Sequence, residues 1–211
     1  MSIPINRNIK AIMFDFGGVL AEEGFRDGLM AIARAKGISP EAFFESAAAA
    51  VYDSGYVLGK ADESAYWEMV RQKTGIDGTD EEFRREILER FQLRPWMFKI
   101  VRRLKQHGYK LGILSDQSQW LDDLDKQHEF FKDFDFIYNS YHLGKGKRDP
   151  SLFTEISRGL NLRSPEILFI DDNEGNVERA RSKGWNAILY REQGDFLAKM
   201  KECGLPVSGA L

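Results

Sequence analysis

The sequence has little of the chemistry that marks a secreted, membrane-bound or zinc-stabilised protein. Its single cysteine, Cys203, excludes both a disulfide framework and a thiolate zinc centre within one chain. The three histidines, His107, His128 and His142, lack metal-ligand spacing and read as structural or surface residues. No apolar run approaches the ~18 residues of a membrane span, and the chain is polar up to Lys10 with no secretory pattern. Neither sign of charge dominates, since 30 Lys and Arg face 33 Asp and Glu. The Arg84-Arg85 and Arg102-Arg103 doublets read as solvated helix faces, so no basic surface for nucleic acid is expected. These absences predict a soluble cytoplasmic globule. At 211 residues and 43% hydrophobic, the chain is long enough to bury a sizeable core.

What is present begins at Ala11-Ile-Met-Phe-Asp-Phe-Gly-Gly-Val-Leu20. An apolar, strand-compatible run that ends at Asp15 puts one carboxylate at the C-terminal lip of a buried strand, where open α/β sheets place their chemistry. Gly17 and Gly18 then allow a tight turn close to a ligand. A capping Asp after a buried strand would look the same, and the balance is tipped by three later stretches.

After this strand the pattern is helical for some seventy positions. Phe25, Leu29, Ile32 and Ala33 have helical spacing and stop at Gly37. Ser39 caps a second helix with Pro40 in its first turn, carrying Phe43, Phe44, Ala47, Ala48 and Val51. A third holds Tyr66, Trp67 and Val70 and ends at Gly75; Thr79 and Glu82 form a capping-box pair before a fourth with Phe83, Ile87 and Phe91. Residues 22–94 therefore read as an all-helical insertion, with 1–21 and 95–211 forming the remainder. From Pro95 helices alternate with strands at Tyr109–Leu114, Phe136–Tyr138, Glu166–Ile170 and Ala187–Tyr190. That rhythm requires a Rossmann-like parallel sheet of about five strands with right-handed crossovers.

In such a sheet the strand ends carrying Asp15, Ser115 with Asp116, and Asp171-Asp172, together with the loop of Lys147, open on one edge. Three carboxylates on one edge repel one another unless a cation sits among them, and all-oxygen ligation favours Mg²⁺. Ser115 can donate a hydroxyl, helix N-terminal amides can hold an anion, and Lys147 adds a positive charge. Taken singly these are cap, turn and loop residues. Taken together they are the parts of a phosphate site.

Here the chain resembles the haloacid dehalogenase-like hydrolases, specifically a phosphatase branch with an α-helical cap. The four ordered motifs of that family look like Phe14-Asp-Phe-Gly-Gly-Val-Leu20, Ile113-Leu-Ser115, Gly144-Lys-Gly-Lys147 and Ile170-Asp-Asp-Asn173. The helical insertion stands where the family places its cap, and Gly59-Lys60 resembles the cap loop that overhangs the site. The resemblance implies Asp15 as the nucleophile toward phosphorus, with Ser115 and Lys147 as its catalytic partners. It implies Ser115, Asp116, Lys147 and Gly18 around the phosphate, and Asp15, the Gly17 carbonyl and Asp172 around Mg²⁺, with Asp171 either a further ligand or a partner that orients one.

The chain departs from that pattern in three places. Asp116 replaces a usual Asn and Arg148 a usual Pro; Gly17 stands where most family phosphatases carry an acid that protonates the leaving group. Loss of that acid removes a factor of ~10²–10⁴ and predicts a preference for leaving groups already stable as anions, such as aryl, acyl or anomeric sugar 1-phosphates. The leading expectation is a Mg²⁺-dependent phosphatase of a small phosphorylated metabolite, with sugar phosphates among the candidates. Dehalogenation at carbon, and phosphate binding without turnover, are the alternatives. Glu22, Tyr56 and Lys60 are the expected cap contacts to substrate, and the oligomeric state is left open.

Overall fold

The computed structural model describes residues 8–207. Its central strand β1 (Ala11–Phe14) is buried at every position, which follows from an apolar run with no polar alternation. β2 (Lys110–Ser115) and β4 (Ile167–Asp171) pair with it on either side, all parallel, so that Phe14 is level with both Ile113 and Ile170. β3 (Phe136–Asn139) extends the sheet beyond β2, and β5 (Asn186–Leu189) beyond β4. The strand order is β3-β2-β1-β4-β5. The chain thus moves outward to β3 and returns to the other side of β1, and the crevice between the C-terminal ends of β1 and β4 is the switch point where such sheets bind ligands.

Alternation along β1 decides which core each side chain joins. Ile12 and Phe14 face a cluster with Met97, Ile100, Val101 and Leu104 of α5 (Pro95–Gln106), whereas Ala11 and Met13 face Phe153, Ile156 and Leu160 of α8 (Ser151–Leu160). α6 (Trp120–His128) packs into the first cluster, and Val177 and Ala180 of α9 (Glu174–Ser182) pack into the second. A short turn of helix, α7 (Ser140–Leu143), follows β3.

Between β1 and β2 lie α1 (Gly24–Ala35), α2 (Pro40–Asp53), α3 (Glu63–Thr74) and α4 (Asp80–Leu88) ahead of α5, with no strand among them. The expected caps form: Ser39 accepts from Ala42 N–H, and Thr79 and Glu82 make a reciprocal capping box. Where the chain leaves and re-enters the sheet layer its two strands run side by side. Ala21 bridges Leu93, Glu22 N–H donates to the Gln92 carbonyl at 2.9 Å, and Arg94 N–H donates to the Leu20 carbonyl at 2.9 Å. The first hydrophobic cluster runs without a break from the sheet through these helices, so they share one core with it.

Several details differ from the sequence reading. β2 and β4 run one residue further than expected, which makes Ser115 and Asp171 the last residues of their strands. α4 stops at Leu88, and Phe91 is buried beyond it against Phe16, with ring centroids 5.6 Å apart. A further helix, α10 (Gln193–Glu202), buries Phe196 and Met200 in the first cluster with Leu197 packed beside them, a short apolar stripe in an otherwise polar segment. Arg84 is not on a solvated face but pairs with Glu63 at 2.9 Å and with Asp123. No helix among the described residues is long and apolar enough to cross a membrane. Residues 1–7 and 208–211 of the expected core lie outside the described residues.

Candidate active site

The parallel register delivers the side chains in step. Phe14 is level with Ile113 and Ile170, so Asp15 emerges beside Leu114 and Asp171, with Ser115 one position further on. Asp15 N–H donates to the Ile170 carbonyl at 2.9 Å, which ties the nucleophile candidate's backbone to β4. Its Oδ1 accepts from Ser115 Oγ at 2.6 Å and from Phe16 N–H at 2.7 Å, and its Oδ2 pairs with Lys147 Nζ at 2.7 Å. Lys147 is 2% exposed and also donates to Asp171 Oδ2 at 2.7 Å. An ammonium buried this deeply is tolerated only between opposite charges. Burial opposes its charge, but Asp15 and Asp171 outweigh that cost and raise its pKa.

The loop carrying Lys147 is fixed from two sides. Asp116 Oδ1 accepts from Lys147 N–H at 2.8 Å, and Arg179 Nε donates to the Lys147 carbonyl at 2.9 Å. The second Asp116 oxygen accepts from the Tyr52 hydroxyl at 3.1 Å, and the Arg148 guanidinium lies over the Tyr52 ring. Asp116 is therefore an anchor for the loop. With both oxygens engaged, its effect on the floor of the cavity is through the position of Lys147.

Asp171 and Asp172 divide just as clearly. Asp171 is fully buried, and its two oxygens accept from Asn173 N–H at 2.7 Å, Asn176 Nδ2 at 3.2 and 3.1 Å, and Lys147 Nζ. Asp172 is half-buried and lines the cavity. Ligand oxygens of Asp15, Asp171 and Asp172 lie within 4.8 Å of one another. Burial, then the neighbouring carboxylates, raise the pKa of Asp15 well above the usual range despite Lys147; burial and Asp171 raise that of Asp172. One lysine does not neutralise three carboxylates. An all-oxygen donor set with residual negative charge fits a hard divalent cation such as Mg²⁺.

Gly18 has φ +74°, and a Cβ there would stand 2.2 Å from Asp172 Oδ2. A side chain at this position would push the carboxylate away. Arg94 Nη1 donates to the Gly18 carbonyl at 2.6 Å and holds the turn. Gly18 does not line the cavity; Gly17 does.

Above this edge opens a cavity of about 500 Å³. Asp15, Gly17, Ser115, Asp116, Lys147 and Asp172 form its floor. On the side of the helices the cavity is lined by Phe25 of α1, Phe44, Ala48 and Val51 of α2, Val57, and Trp120 of α6, with Arg26 of α1 and Tyr52 of α2 among them. Of the expected cap contacts, Glu22 is turned to Arg94, with N–O distances of 3.0 and 2.8 Å, and Tyr56 is buried against Tyr66 and Trp120. Lys60 is exposed and does not line the cavity, and a Cβ on Gly59 would stand 2.3 Å from the Tyr141 carbonyl. Glu23, one position from Glu22, and Val57, one position from Tyr56, line the cavity instead. Glu23 caps α1 by accepting from Arg26 N–H at 3.3 Å, and burial pushes its carboxyl up to about 7. The spacing of a helix N-cap before Arg26 was the one signal that could have separated Glu23 from Glu22.

Residues 9–182 match the family model described as haloacid dehalogenase-like hydrolase. The chain is 29% identical to bifunctional epoxide hydrolase 2 of Rattus norvegicus over 116 residues, which is 52% of this chain and 20% of that protein. It is 31% identical to enolase-phosphatase E1 of Methylococcus capsulatus over 100 residues, 44% of each chain. The chain thus spans about a fifth to under a half of the length of these curated relatives. A haloacid dehalogenase family enzyme of Bacteroides thetaiotaomicron, solved as a magnesium complex, superposes with a TM-score of 0.73 at 19% identity, covering 91% of this chain and 99% of that one. That likeness carries the fold, and the family match spans most of the chain including Asp15, Ser115, Lys147 and the Asp171-Asp172 pair. The protein belongs to the haloacid dehalogenase-like hydrolases.

Proposed function

We propose that this hydrolase is a Mg²⁺-dependent phosphatase that cleaves a small phosphorylated metabolite in a cytoplasmic setting through an aspartyl-phosphate on Asp15. The observation that carries the reading is the Asp15 carboxylate, held between Ser115 Oγ at 2.6 Å and Lys147 Nζ at 2.7 Å with Asp172 beside it. A carboxylate approaches a phosphate dianion only where cationic groups offset the repulsion. Here Lys147 and Ser115 take the phosphoryl oxygens, and Asp15 attacks phosphorus. Asp15 and Asp172 hold Mg²⁺, while Asp171, whose oxygens are already taken by Asn173, Asn176 and Lys147, orients the lysine. When bound, the ion neutralises the carboxylates and draws electron density from the phosphoryl group.

In the same reading, residues 22–94 work as a cap over a core formed by 1–21 and 95–211. The paired strands at Ala21 and Leu93 are the hinge, and the helix-side wall faces the substrate's organic part. The test is a panel of phosphorylated metabolites assayed with Mg²⁺ and with EDTA, on the wild type and on Asp172→Ala. Turnover that needs Mg²⁺, with the half-saturating Mg²⁺ concentration raised about 10-fold or more in the variant, is the expected outcome. Turnover indifferent to EDTA, or unchanged metal dependence in Asp172→Ala, would remove the metal assignment.

A further inference from the structure

The cavity holds four carboxyl groups, and three are accounted for. Asp15 is the nucleophile, Asp172 the cation ligand, and Asp116 has both oxygens engaged by Lys147 N–H and the Tyr52 hydroxyl. The fourth is Glu23. Its Oε1 accepts the Arg26 N–H, and its Oε2 takes no hydrogen bond among the described residues. That free oxygen lies 3.1 Å from the point where a Cβ on residue 17 would stand. A carboxyl group from the start of α1 therefore lies within contact of the point where a side chain at position 17 would begin, with Phe91 Cε1 at 3.3 Å and Gln117 Nε2 at 3.6 Å as the other neighbours of that point. It opens into the cavity that receives the organic part of the ester.

We propose that Glu23 is the general acid and base of this phosphatase, acting from the first helix in place of a residue at position 17. The inference rests on the phosphatase reading above. In the first step an Asp15 oxygen bonds to phosphorus as the bond to the leaving oxygen breaks, and the proton on Glu23 Oε2 passes to that oxygen, which departs as an alcohol. In the second, Glu23, now a carboxylate, takes a proton from water as the water oxygen bonds to phosphorus and the Asp15–phosphorus bond breaks. Phosphate leaves and Glu23 is again protonated, so each turnover consumes one water and returns every protein group to its first state. Position 17 and position 23 are alternative origins for one carboxyl group. The expected preference for anion-stabilised leaving groups therefore does not apply to the wild type.

Glu23→Gln keeps the oxygen that caps α1 and removes the proton, so the helix start survives the change. With Mg²⁺ present, kcat/KM is measured on a series of esters from primary alkyl phosphates to p-nitrophenyl phosphate, because this ratio reports departure of the leaving group. The wild type should show a flat slope of log kcat/KM against leaving-group pKa. Glu23→Gln should lose about 100-fold or more on alkyl esters and little on the nitrophenyl ester. The double variant Gly17→Asp/Glu23→Ala should recover the flat slope, since removing Glu23 frees the space into which the new carboxyl group must fit. Equal loss on all esters, no loss on any, or a wild-type slope already as steep as that of Glu23→Gln would overturn the assignment while leaving a phosphatase. No hydrolysis of any ester by the wild type would overturn the phosphatase reading and this assignment with it.

Discussion

Two buried acidic centres in this molecule are built on opposite terms. Glu63, at the start of α3, is enclosed by donors: the indoles of Trp67 at 3.2 Å and Trp120 at 2.9 Å, the Tyr56 hydroxyl at 3.4 Å and the Arg84 guanidinium at 2.9 Å. Its donors come from α3, α4, the Tyr56 turn and α6, so one satisfied carboxylate ties the helical insertion to the sheet layer. The centre at the β1 and β4 ends has three carboxylates, one lysine and pKa values pushed upward by burial. A satisfied buried charge gives architecture; an under-compensated one is the kind of centre that the proposed cation and phosphate would complete.

The sharpest way to break this contrast is to remove one charge from each centre and compare the signs. Asp15→Asn keeps the acceptor for Ser115 and Phe16 N–H but removes the proposed nucleophile, and turnover should fall by about 10⁴ or more. Because burial raises the Asp15 pKa in the fold, its ionised form costs stability at neutral pH; the Asn variant sheds that cost, which we expect to exceed what Lys147 loses when it is left with Asp171 alone. Thermal melts in EDTA should therefore give a higher Tm for Asp15→Asn than for the wild type, and added Mg²⁺ should stabilise the wild type more than the variant. A lower Tm in EDTA would mean that the Lys147 pair already satisfies Asp15. Glu63→Gln should do the reverse, losing about 1–3 kcal/mol because an amide replaces one acceptor oxygen with a donor that faces indole N–H groups and Arg84. The turnover of its folded fraction at low temperature should stay close to wild type. Denaturant melts read the first number and initial rates the second.

Most of the fold was legible because each element announced itself by period and punctuation. Apolar runs of strand length ended at Asp15, Ser115 and Asp171, and caps at Ser39, Thr79 and Gly75 bounded the helices. The floor of the site was legible for the same reason: parallel strands force their C-terminal residues onto one edge, so position along the chain fixed position in space. The wall was not. Whether Glu22 or Glu23 enters the cavity depends on the orientation of one helix turn, and that is decided by Arg94, seventy-two positions away, which takes Glu22 for itself. The difference between Asp171 and Asp172 was equally hidden, because it rests on Asn176 and Lys147 reaching the first and not the second. α10 went unseen because its polar face outweighs the two residues that it buries.

A third carboxylate extends the comparison to the opposite end of the sheet, where the expected effect is smallest. Glu166 precedes β4 and accepts from Arg163 Nη2 at 3.1 Å, from Arg163 N–H at 2.9 Å and from Lys10 Nζ at 2.9 Å. The Arg163 side chain first, then Lys10, lower its pKa to about 2. A carboxyl group whose pKa is depressed by folding contributes stability above its ordinary value near 4.5, and loses it as pH falls from there toward 2. Both cationic side chains are more than half exposed, so water and salt screen the pairs and the contribution is modest. Glu166→Gln should accordingly lower Tm slightly at pH 7, and the gap to wild type should close as pH is brought from 5 to 2 and narrow in high salt. Turnover should not change, since the site lies at the other end of the strands. A gap that persists at pH 2 would assign the effect to the neutral hydrogen bond from Arg163 N–H rather than to charge, and would set this centre beside Glu63 as one held by geometry.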